Sequence, residues 1–439
     1  MIDRWLFTRI DNSALILFRI LFGGLIAIEA FGAILTGWVR RILIEPEFTF
    51  NFIGFGFLQP LPGNGMLWYY GTMGFLGLLI MLGFRYRMSM LAFALLWSGV
   101  YLMQKSSYNN HYYLLMLLSY LMVLVPAHRF LSVDAWLRPA IRRIHMPRWV
   151  WLLIVLQLWI VYTFAAVAKI YPDWFSGRLP ALLMETKKDY WLVGPYLQQE
   201  WVPYAIAYFG FCFDLLIIPL LLYRKTRMGA FLASVFFHLF NSLIFQIGIF
   251  PYLSLAFILF FFPSEQINRL FLRWKPHFSG TLLILPSYRR PLRIFLVIWF
   301  SIQVLLPIRH WFIQDDVLWT EEGHRLSWRM MLRSKSGIIL FKVVDKERPK
   351  DTLYIQNNLY LTPKQQKALA TKPDLIWQFA QHLEKDYAKQ GREIEVYVES
   401  QLSVNGRPYV QYIDPHVDLA AEQWRYFRHS PWILPAPKE

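Results

Sequence analysis

The sequence predicts a multi-pass α-helical membrane protein with about nine transmembrane helices and a C-terminal α+β domain outside the membrane. Of the 439 residues, 56% are hydrophobic and 18% aromatic, whereas only 17% are charged, a composition outside that of ordinary soluble domains. Apolar runs of membrane length recur as far as residue 308. The last ~130 residues instead include segments that alternate apolar and polar positions, which is typical of strands.

Apolar runs of roughly 17 to 25 residues are long enough to cross a bilayer as helices. About nine such runs occur, near residues 13–36, 67–83, 88–105, 111–127, 149–168, 202–222, 227–247, 249–263 and 292–308. The eighth run follows Pro251 and is short, so its bounds are approximate. The first follows Arg4 and Arg9 without a small-residue cleavage site, and we expect it to stay in the mature protein as a membrane helix.

The basic residues are distributed unevenly among the connectors between these runs. The N-terminus and the loops after the second, fourth, sixth and eighth runs carry most of the arginines, and the opposite loops carry far fewer basic residues. The positive-inside rule therefore predicts a cytoplasmic N-terminus. Because the number of spans is odd, we expect a helical domain over residues 1–309 and an α+β domain over 310–439 on the outer face.

The net charge of +16 lies mainly in these short connectors, where it indicates topology and contact with anionic lipid. No basic stripe or helix carries the excess, so we expect no nucleic-acid partner. The single cysteine, Cys212, excludes an intramolecular disulfide and a cysteine-based metal site. Its place within an apolar run predicts a small core residue.

The C-terminal part carries its own secondary-structure signals. The segments "GIILFKVVDK" and "REIEVYVESQLSVNGRPYVQYID" alternate apolar and polar residues, and Asn405-Gly406 predicts a hairpin turn. Between them, "TPKQQKALATKPDLIWQFAQHLEKDYAKQG" begins with a threonine cap and a proline and ends at Gly391, which predicts a helix. These signals together indicate a small α+β domain.

Four groups of polar residues lie near or inside the apolar runs, where such groups are costly unless they are paired or face a cavity. They are Asn109, Asn110 and His111 at the fourth run, Lys169 after the fifth, Asp214 in the sixth, and His238, Asn241, Ser242 and Gln246 in the seventh. The first three of this last set share one helix face. Any of the four groups is a candidate for a functional site.

Each group also has a purely structural interpretation. Asn109 and Asn110 are suited to capping the fourth helix, and His238 with Asn241 is typical of hydrogen bonding between membrane helices. Asp214 is expected to pair with an arginine or lysine of a neighbouring helix. Lys169 alone is typical of a residue that extends its ammonium to the headgroups. Composition and spacing leave these alternatives open.

Six segments in order resemble the vitamin K-dependent gamma-glutamyl carboxylases. They are "SYNNHYYLL", "RFLSVDAWLRPAIRRIHMPRW", "WIVYTFAAVAKIYPDW", "FFHLFNSLIFQIGIFPYLSL", "LSWRMM" and "VNGRPYVQYIDPHVDL". The similarity runs from the first apolar run to near residue 435. Because it spans both the helical part and the C-terminal part, it is specific to this family.

The resemblance implies an enzyme that converts reduced vitamin K, O2 and CO2 into vitamin K epoxide and a gamma-carboxyglutamate side chain on a glutamate-containing protein or peptide. It implies no metal. The single cysteine and the compact chain resemble a bacterial form of the family, for which the quinol is phylloquinol or menaquinol and the location is the inner membrane. Animal members lie in the endoplasmic reticulum. Membrane lipid and quinone are therefore expected partners.

The resemblance also implies roles for individual residues. Lys169, followed by Ile170 and Asp173-Trp174, matches the lysine that deprotonates the hydroquinone, although the preceding lysine of the family is Ala168 here. Asn110 and His111 match an Asn-His pair that holds the quinone and assists the glutamate step. The quinone-binding set implied by the family is Asn109, Asn110, Tyr162, His238, Trp328, Met330 and Met331.

These residue types suit the chemistry that the resemblance implies. The gamma hydrogen of glutamate is too weakly acidic for any side chain to remove, so a stronger base must be made from the hydroquinone and O2. Lys169 must be neutral to begin that sequence, and an apolar surrounding disfavours its ammonium form. His111 is suited to donating a hydrogen bond to developing negative charge, and Asn110 to contacting a quinone oxygen.

Three functions remain open on the sequence alone. The first is hydroquinone-dependent carboxylation of glutamate. The second is a hydroquinone epoxidase or oxygenase that does not carboxylate glutamate, since epoxidation uses the Lys169 half of the site only. The third is a non-catalytic membrane module that binds quinone or lipid in the same pocket.

Overall fold

The computed structural model describes residues 1–348 and 350–437. Helices fill the chain up to Thr320, apart from one short pair of strands, and a four-stranded antiparallel sheet with two helices follows. The helices are α1 (Ile2–Phe7), α2 (Ser13–Leu35), α3 (Gly65–Leu82), α4 (Tyr86–Met103), α5 (Asn110–Leu124), α6 (Val133–Leu137), α7 (Arg148–Val167), α8 (Pro172–Phe175), α9 (Arg178–Glu185), α10 (Gly194–Leu197), α11 (Val202–Leu222), α12 (Arg227–Phe245), α13 (Phe250–Phe257), α14 (Ser264–Phe271), α15 (Arg289–Ile308), α16 (Val317–Thr320), α17 (Pro363–Leu369) and α18 (Pro373–Ala388). The strands are β1 (Arg9–Asp11), β2 (His145–Pro147), β3 (Lys335–Asp345), β4 (Thr352–Ile355), β5 (Ile394–Val404) and β6 (Val410–Gln411).

Several of these helices can cross a membrane. Within the described residues, six are long and apolar enough by length and composition: α2, α3, α7, α11, α12 and α15 with its extension to Phe312. The helical stretch Phe250–Phe261 is bent by 119° from α14, and the two add a seventh span if they are counted as one. The chain is therefore a helical membrane protein.

The sequence predicts about nine spans, two more than the seven that result when the bent pair is counted as one span. The third and fourth expected spans coincide with α4 and α5. Helix α5 has only 15 residues, and α4 is less apolar than the six candidates. That α4 and α5 also cross the membrane therefore stays a prediction.

Glycines allow α2 and α3 to approach very closely. A Cβ atom at Gly23 would lie 2.3 Å from the backbone nitrogen of Met81, and one at Gly77 would lie 2.8 Å from the backbone nitrogen of Ala27. Small residues of this kind let membrane helices pack backbone to backbone, where van der Waals contact replaces the hydrophobic effect as the driving force. We expect a larger side chain at Gly23 to separate the two helices.

Opposite faces of α11 have different surroundings. Asp214 is buried, whereas Cys212 is exposed, so the prediction that this cysteine is a core residue is wrong. Residues two apart on a helix lie about 200° apart around its axis, so the two side chains are on opposite sides of α11. A Cβ atom at Gly210, one turn before Asp214, would lie 3.6 Å from the Trp174 ring, which places α8 against the same face.

The C-terminal sheet has the strand order β4-β3-β5-β6. The long central pair of strands is in register from Lys335 opposite Val404 to Asp345 opposite Ile394. The turn predicted at Asn405-Gly406 is present between β5 and β6, with φ of 53° and 72° at these two residues. Asparagine and glycine tolerate this left-handed backbone better than other residues do, which explains their position here.

The predicted helix between the long strands is two helices, α17 and α18. Thr362 caps the first, and its side chain and that of Gln365 form a capping box. The break comes before Pro373, where Lys372 has extended backbone angles because a following proline disfavours the helical region. Helix α18 buries Phe379 and Leu383 against the sheet.

The connector between α2 and α3 reaches into the C-terminal part. Phe50 is fully buried in the same core as the sheet and α18. Gln365 Nε2 donates to the carbonyl of Phe48 at 2.6 Å, and Gln378 Nε2 donates to that of Asn51 at 3.0 Å. The helical part and the C-terminal part are therefore joined by a packed junction.

Candidate active site

The helical part contains a cavity of ≈790 Å³. Its walls are mainly apolar side chains of α11, α12 and the segment that follows them, including Phe209, Phe236, Phe237, Phe240, Ile244 and Phe250. Its other walls come from α5, from the end of α7 and from the segment before β3. Apolar cavities with a few convergent polar groups are the usual form of a small-molecule site.

Lys169 follows the end of α7 and lines this cavity. It is 6% exposed, and its Nζ forms an ion pair with Asp214 Oδ2 and donates to the carbonyl of Ala165 at 3.2 Å. The same atom lies 5.2 Å from the centre of the Trp174 ring, within the range of a cation–π contact. The alternative in which Lys169 extends to the headgroups is therefore wrong, and the expected pairing of Asp214 with a cation is confirmed.

Contacts from the C-terminal part hold the backbone just after Lys169. The hydroxyl of Tyr171 donates to the carbonyl of Leu332. Asp173 accepts hydrogen bonds from Asn405 Nδ2 at 2.6 Å and from Arg407 Nη2 at 2.9 Å. Burial opposes ionisation of Asp173, but the hydrogen bonds from Arg407 and Asn405 hold its pKa below the usual value. The hairpin after β5 therefore fixes the segment that carries Lys169.

The start of α5 supplies another side of the cavity. Asn109 caps this helix, since its side chain accepts from Tyr112 N at 2.7 Å, which confirms the capping interpretation for this asparagine. Asn110 Nδ2 donates to the carbonyl of Arg329 at 2.9 Å. The ring of His111 stacks on Phe250 at 4.4 Å between centres, and its Nδ1 is buried without a hydrogen-bond partner among the described residues.

Tyr162 also lines the cavity, and His238 lies behind it. The Tyr162 hydroxyl and His238 Nε2 are 3.0 Å apart and hydrogen bond with each other. His238 is 1% exposed and borders a separate space of only ≈10 Å³. The structure thus places this histidine where it orients Tyr162, without contact with the large cavity.

The segment before β3 closes the cavity on the side toward the C-terminal part, which forms its outer wall. Met330 and Met331 line it, whereas Trp328 is 1% exposed and stacks on Tyr113 at 4.8 Å between ring centres. Trp328 and Met331 have φ of 56° and 52°, a left-handed backbone that costs bulky residues free energy. Such strain persists where the surrounding packing enforces it, and it often marks functional segments.

Charged residues lie on this outer wall: Glu321, His324, Arg325, Arg329, Arg333 and Lys372. Glu321 is ion-paired with Arg333 and with Lys335, the latter at 2.7 Å. Although burial opposes ionisation, these two cations hold the pKa of Glu321 well below its usual range. Burial, followed by the charge of Arg325, lowers the pKa of Lys372 to about 8. The wall carries more positive than negative charge.

Arg329 is the most distinctive of these cations. It is 8% exposed, and no carboxylate among the described residues lies within 4.0 Å of it. Its Nη1 is 3.2 Å from His310 Nε2, and its Nε is buried without a hydrogen-bond partner in the described part of the chain. Burial, followed by the charge of Arg333, lowers its pKa to about 10, so it stays charged at neutral pH.

A second cavity, of ≈760 Å³, lies on the other side of Arg329. Its lining is more polar and includes Asp173, His310, Asp316, Asn405 and Arg407. Arg329 lines both cavities and therefore forms part of the wall between them. A buried cation in this place is suited to an anion that enters from the polar side.

The structure brings seven of the nine residues predicted for the site around one cavity: Lys169, His111, Asn109, Asn110, Tyr162, Met330 and Met331. Trp328 and His238 lie behind its wall. Sequence reasoning named Asp214 as a candidate but favoured a structural ion pair for it, and it missed Arg329, which lies between Trp328 and Met330 of the segment "LSWRMM". Lys372 and Glu321 had no local signal, because only the folded chain brings them to the cavity.

Within residues 1–348 and 350–437, no group of three or more histidine, cysteine, aspartate or glutamate residues is arranged to hold a metal ion. An apolar ring ligand fits the large cavity better, because its walls are mainly aromatic and aliphatic. The unpartnered Nδ1 of His111 and the ion pair of Lys169 are polar groups available to such a ligand.

Comparison with known families gives two matches. Residues 7–265, more than half of the chain, match the family model described as HTTM domain. Residues 288–439 match the model described as vitamin K-dependent gamma-carboxylase, lumenal domain. No solved structure matches the chain. The two matched regions meet at the cavity, since one supplies Lys169 and the other Arg329.

Proposed function

Because the chain belongs to the vitamin K-dependent gamma-carboxylase family, we propose that it carboxylates protein glutamate to gamma-carboxyglutamate, with vitamin K hydroquinone, O2 and CO2 as co-substrates. The observation that carries this proposal is that one cavity has an apolar wall on one side and a cationic wall on the other. Lys169 lies on an apolar side that suits a quinone ring, and the outer side carries the buried Arg329 with partly buried cations around it. A reaction between an apolar reductant and a carboxylate substrate needs both.

The apolar half of the cavity has the properties of a quinone site. Aromatic side chains of α11 and α12 supply flat apolar surface, and Met330 and Met331 supply adaptable contacts on the outer side. His111 Nδ1 is available to a quinone oxygen. Asn110 already uses one amide proton for Arg329, so its second proton is the one available to a ligand.

Lys169 acts by holding and moving a proton at Nζ. Bound hydroquinone supplies, with O2, the strong base that removes the gamma hydrogen of glutamate. The chain's own contribution is to take the hydroquinone proton and to exclude water. The apolar walls around Lys169 contribute to both functions. Tyr171 and Asp173 keep the lysine in place through their contacts with the C-terminal part.

The cationic wall supports carboxylation as the function in preference to epoxidation alone. An epoxidase without a glutamate substrate has no need of a buried arginine that the described residues leave without a carboxylate partner. Arg329 and Lys372 offer charge-assisted hydrogen bonds to a glutamate side chain, which are about twice as strong as neutral ones. The protein or peptide substrate then approaches from the outer face, with the N-terminus cytoplasmic in a bacterial inner membrane.

The test measures both products in the purified protein in detergent. It receives reduced vitamin K, O2, labelled CO2 and a short glutamate peptide, and epoxide and label are followed together. We expect both products in the wild-type protein and neither in Lys169→Ala. Lys188→Ala, which removes an exposed lysine, is the matched control and is expected to keep both activities. Parallel assays with phylloquinol and menaquinol identify the preferred quinol.

Three outcomes contradict the proposal in distinct ways. Epoxide without label means that the protein is a hydroquinone oxygenase with another substrate. Neither product, together with retained quinone binding, means a non-catalytic quinone-binding module. Equal activity of the wild-type protein and Lys169→Ala removes the lysine from the mechanism.

A further inference from the structure

We propose that Lys169 and Asp214 act as one proton-accepting pair, and that the proton taken from the hydroquinone finally resides on the carboxylate of Asp214. This inference rests on the proposed function, because it assigns the proton acceptor for the hydroquinone step. It makes Asp214 a residue of the reaction, a role that the sequence interpretation did not give it. The contacts of these two side chains and a count of protons support it.

The two side chains are paired only with each other among the charged groups of the described chain. The side chains of Lys169 and Asp214 are 8% and 6% exposed. Within the described residues, no second carboxylate lies within 4.0 Å of Lys169 and no second cation lies within that distance of Asp214. Both line the large cavity, so both face the space that the quinone ring fits.

The neighbouring titratable groups make contacts of their own and none of them pairs with Asp214 or Lys169 among the described residues. Tyr162 of α7 and His238 of α12 hydrogen bond with each other, and the side chain of Asp214 has no hydrogen bond to any described residue except Lys169. His111 of α5 stacks on Phe250. The contact of Lys169 with Trp174 is with an aromatic face, which favours the ammonium form of the lysine.

A count of protons then identifies the acceptor. In the ion pair, Lys169 Nζ holds three protons and has no lone pair, so it cannot accept a fourth. It can take a proton only after it has passed one to Asp214 Oδ2. The pair therefore begins as ammonium and carboxylate and ends as ammonium and carboxylic acid, with one more proton and a net charge that rises from zero to +1. The O–H bond of the hydroquinone breaks, and its electron pair stays on the quinol oxygen.

This arrangement removes the need for a free neutral lysine, which the sequence interpretation required. A lone buried amine must lose its proton before it can act, and a lone buried ammonium is costly. The ion pair is neutral as a unit and therefore compatible with an apolar cavity. After transfer, its charge of +1 faces a quinol anion of −1, so the pair and the quinol together carry no net charge.

Replacement of the carboxylate distinguishes this role from that of a simple counter-ion. If Asp214 only pairs with Lys169, then Asp214→Asn frees the amine to become neutral, and epoxide formation persists or rises. If Asp214 accepts the proton, then Asp214→Asn lowers the rate of epoxide formation by about a hundredfold or more at neutral pH. We expect the second result, with unchanged binding of oxidised vitamin K.

The pH profile separates this effect from damage to the fold. Rising pH deprotonates the quinol in solution, so the activity of Asp214→Asn should climb about tenfold per pH unit, whereas a misfolded variant stays inactive throughout. Asp214→Glu keeps a carboxylate and is expected to retain activity if it folds. Cys212→Ser, on the exposed side of the same helix, is the matched control. A rate for Asp214→Asn within about threefold of wild type overturns the inference.

An infrared difference experiment tests the inference without turnover. Reduced vitamin K is added to the protein without O2, and the spectrum after addition of oxidised vitamin K, which has no proton to give, is the reference. We expect a carboxylic-acid carbonyl band in the wild-type protein that shifts in deuterium oxide and is absent from Asp214→Asn. Absence of the band in the wild type, or its presence in Asp214→Asn, overturns the inference. A protein that makes no epoxide but shows the band loses the proposed function and keeps this inference.

Discussion

Asn110 Nδ2 donates a 2.9 Å hydrogen bond to the backbone carbonyl of Arg329, a residue 219 positions later in the chain. The carbonyl of the Asn110 side chain accepts from the Tyr108 hydroxyl at 2.8 Å, and that hydroxyl accepts from Leu326 N at 2.8 Å. These three bonds fasten the segment with Met330 and Arg329 to the start of α5. Asn110 therefore determines where the outer wall of the cavity lies.

Asn110→Ala is expected to loosen this outer wall. A buried carbonyl left without its donor costs about 1–3 kcal/mol, and the Arg329 segment loses its attachment to α5. We expect a lower melting temperature and a raised KM for the glutamate peptide. Thermal unfolding in detergent and peptide kinetics measure the two effects.

The control for this variant is Asn109→Ser. Serine caps a helix about as well as asparagine, so α5 should stay intact and the peptide KM should change little. A peptide KM for Asn110→Ala equal to that of the wild type would show that the outer wall is held by other contacts.

Arg329→Gln is expected to weaken peptide binding and to spare the quinone half of the reaction. Loss of a charge-assisted hydrogen bond of about 1.5–3 kcal/mol corresponds to a rise in peptide KM of about tenfold to a hundredfold. Binding of the quinone should be unaffected, since the cation lies on the outer wall. Arg425→Gln, at an exposed arginine, is the control. An unchanged peptide KM would exclude a carboxylate contact at Arg329.

Asp374→Asn is expected to destabilise the junction between the two parts of the chain. Asp374 Oδ2 lies 2.5 Å from Lys105 Nζ and 2.6 Å from Arg325 Nη1, and all three side chains are largely buried. Removal of the carboxylate leaves two cations unpaired, which costs about 3–5 kcal/mol. Asp386→Asn breaks an exposed pair with Lys389 and should change stability by no more than about 1 kcal/mol. Comparable melting temperatures for the two variants would contradict the prediction.

The same aspartate predicts how stability changes in acid. Burial opposes its ionisation, but the charges of Arg325 and Lys105 hold the pKa of Asp374 well below the usual value. A carboxylate whose pKa is lower in the folded than in the unfolded chain adds stability above its unfolded pKa of about 4. This stability is lost as the pH falls through the folded pKa. Melting temperatures between about pH 7 and about pH 3 should therefore fall less steeply for Asp374→Asn than for the wild type.

Lys372 predicts that substrate binding depends on pH in the opposite sense. Binding should weaken as the pH rises, whereas the stability from Asp374 is lost as the pH falls. Burial, followed by the charge of Arg325, lowers its pKa to about 8, so this side chain loses its charge at a pH where Arg329 keeps its own. We expect the peptide KM of the wild type to rise above about pH 8. In Lys372→Gln the peptide KM should change less with pH. Peptide kinetics from about pH 6.5 to about pH 9.5 measure this change. An identical profile in both proteins would mean that Lys372 does not contact the substrate.

The apolar side of the site could be anticipated from the sequence, because each residue there carries its own local signal. A cation at the end of an apolar run is costly unless it is paired, so Lys169 was recognisable, and so was Asp214 as a residue in need of a partner. That the two are partners could not be read from the chain, since no sequence pattern links positions 45 residues apart, one after the end of α7 and the other within α11.

The outer wall was largely unpredictable for a related reason. Its cations come from the segment before β3 and from the junction of α17 and α18, and local patterns assign these residues only to a loop and to a continuous helix. The break at Pro373 exposes Lys372 to the cavity, and tertiary packing rather than propensity decides that position. The four residues of β4 were also missed, because "TLYI" is a short edge strand without alternation.

The anchors of Lys169 have a consequence for the order in which the site is assembled. Tyr171 is tied to Leu332, and Asp173 to Asn405 and Arg407, which lie 161, 232 and 234 positions further along the chain. A ribosome delivers the fifth predicted span long before these partners. The segment that carries Lys169 therefore gains these anchors only after the last strands have been synthesised.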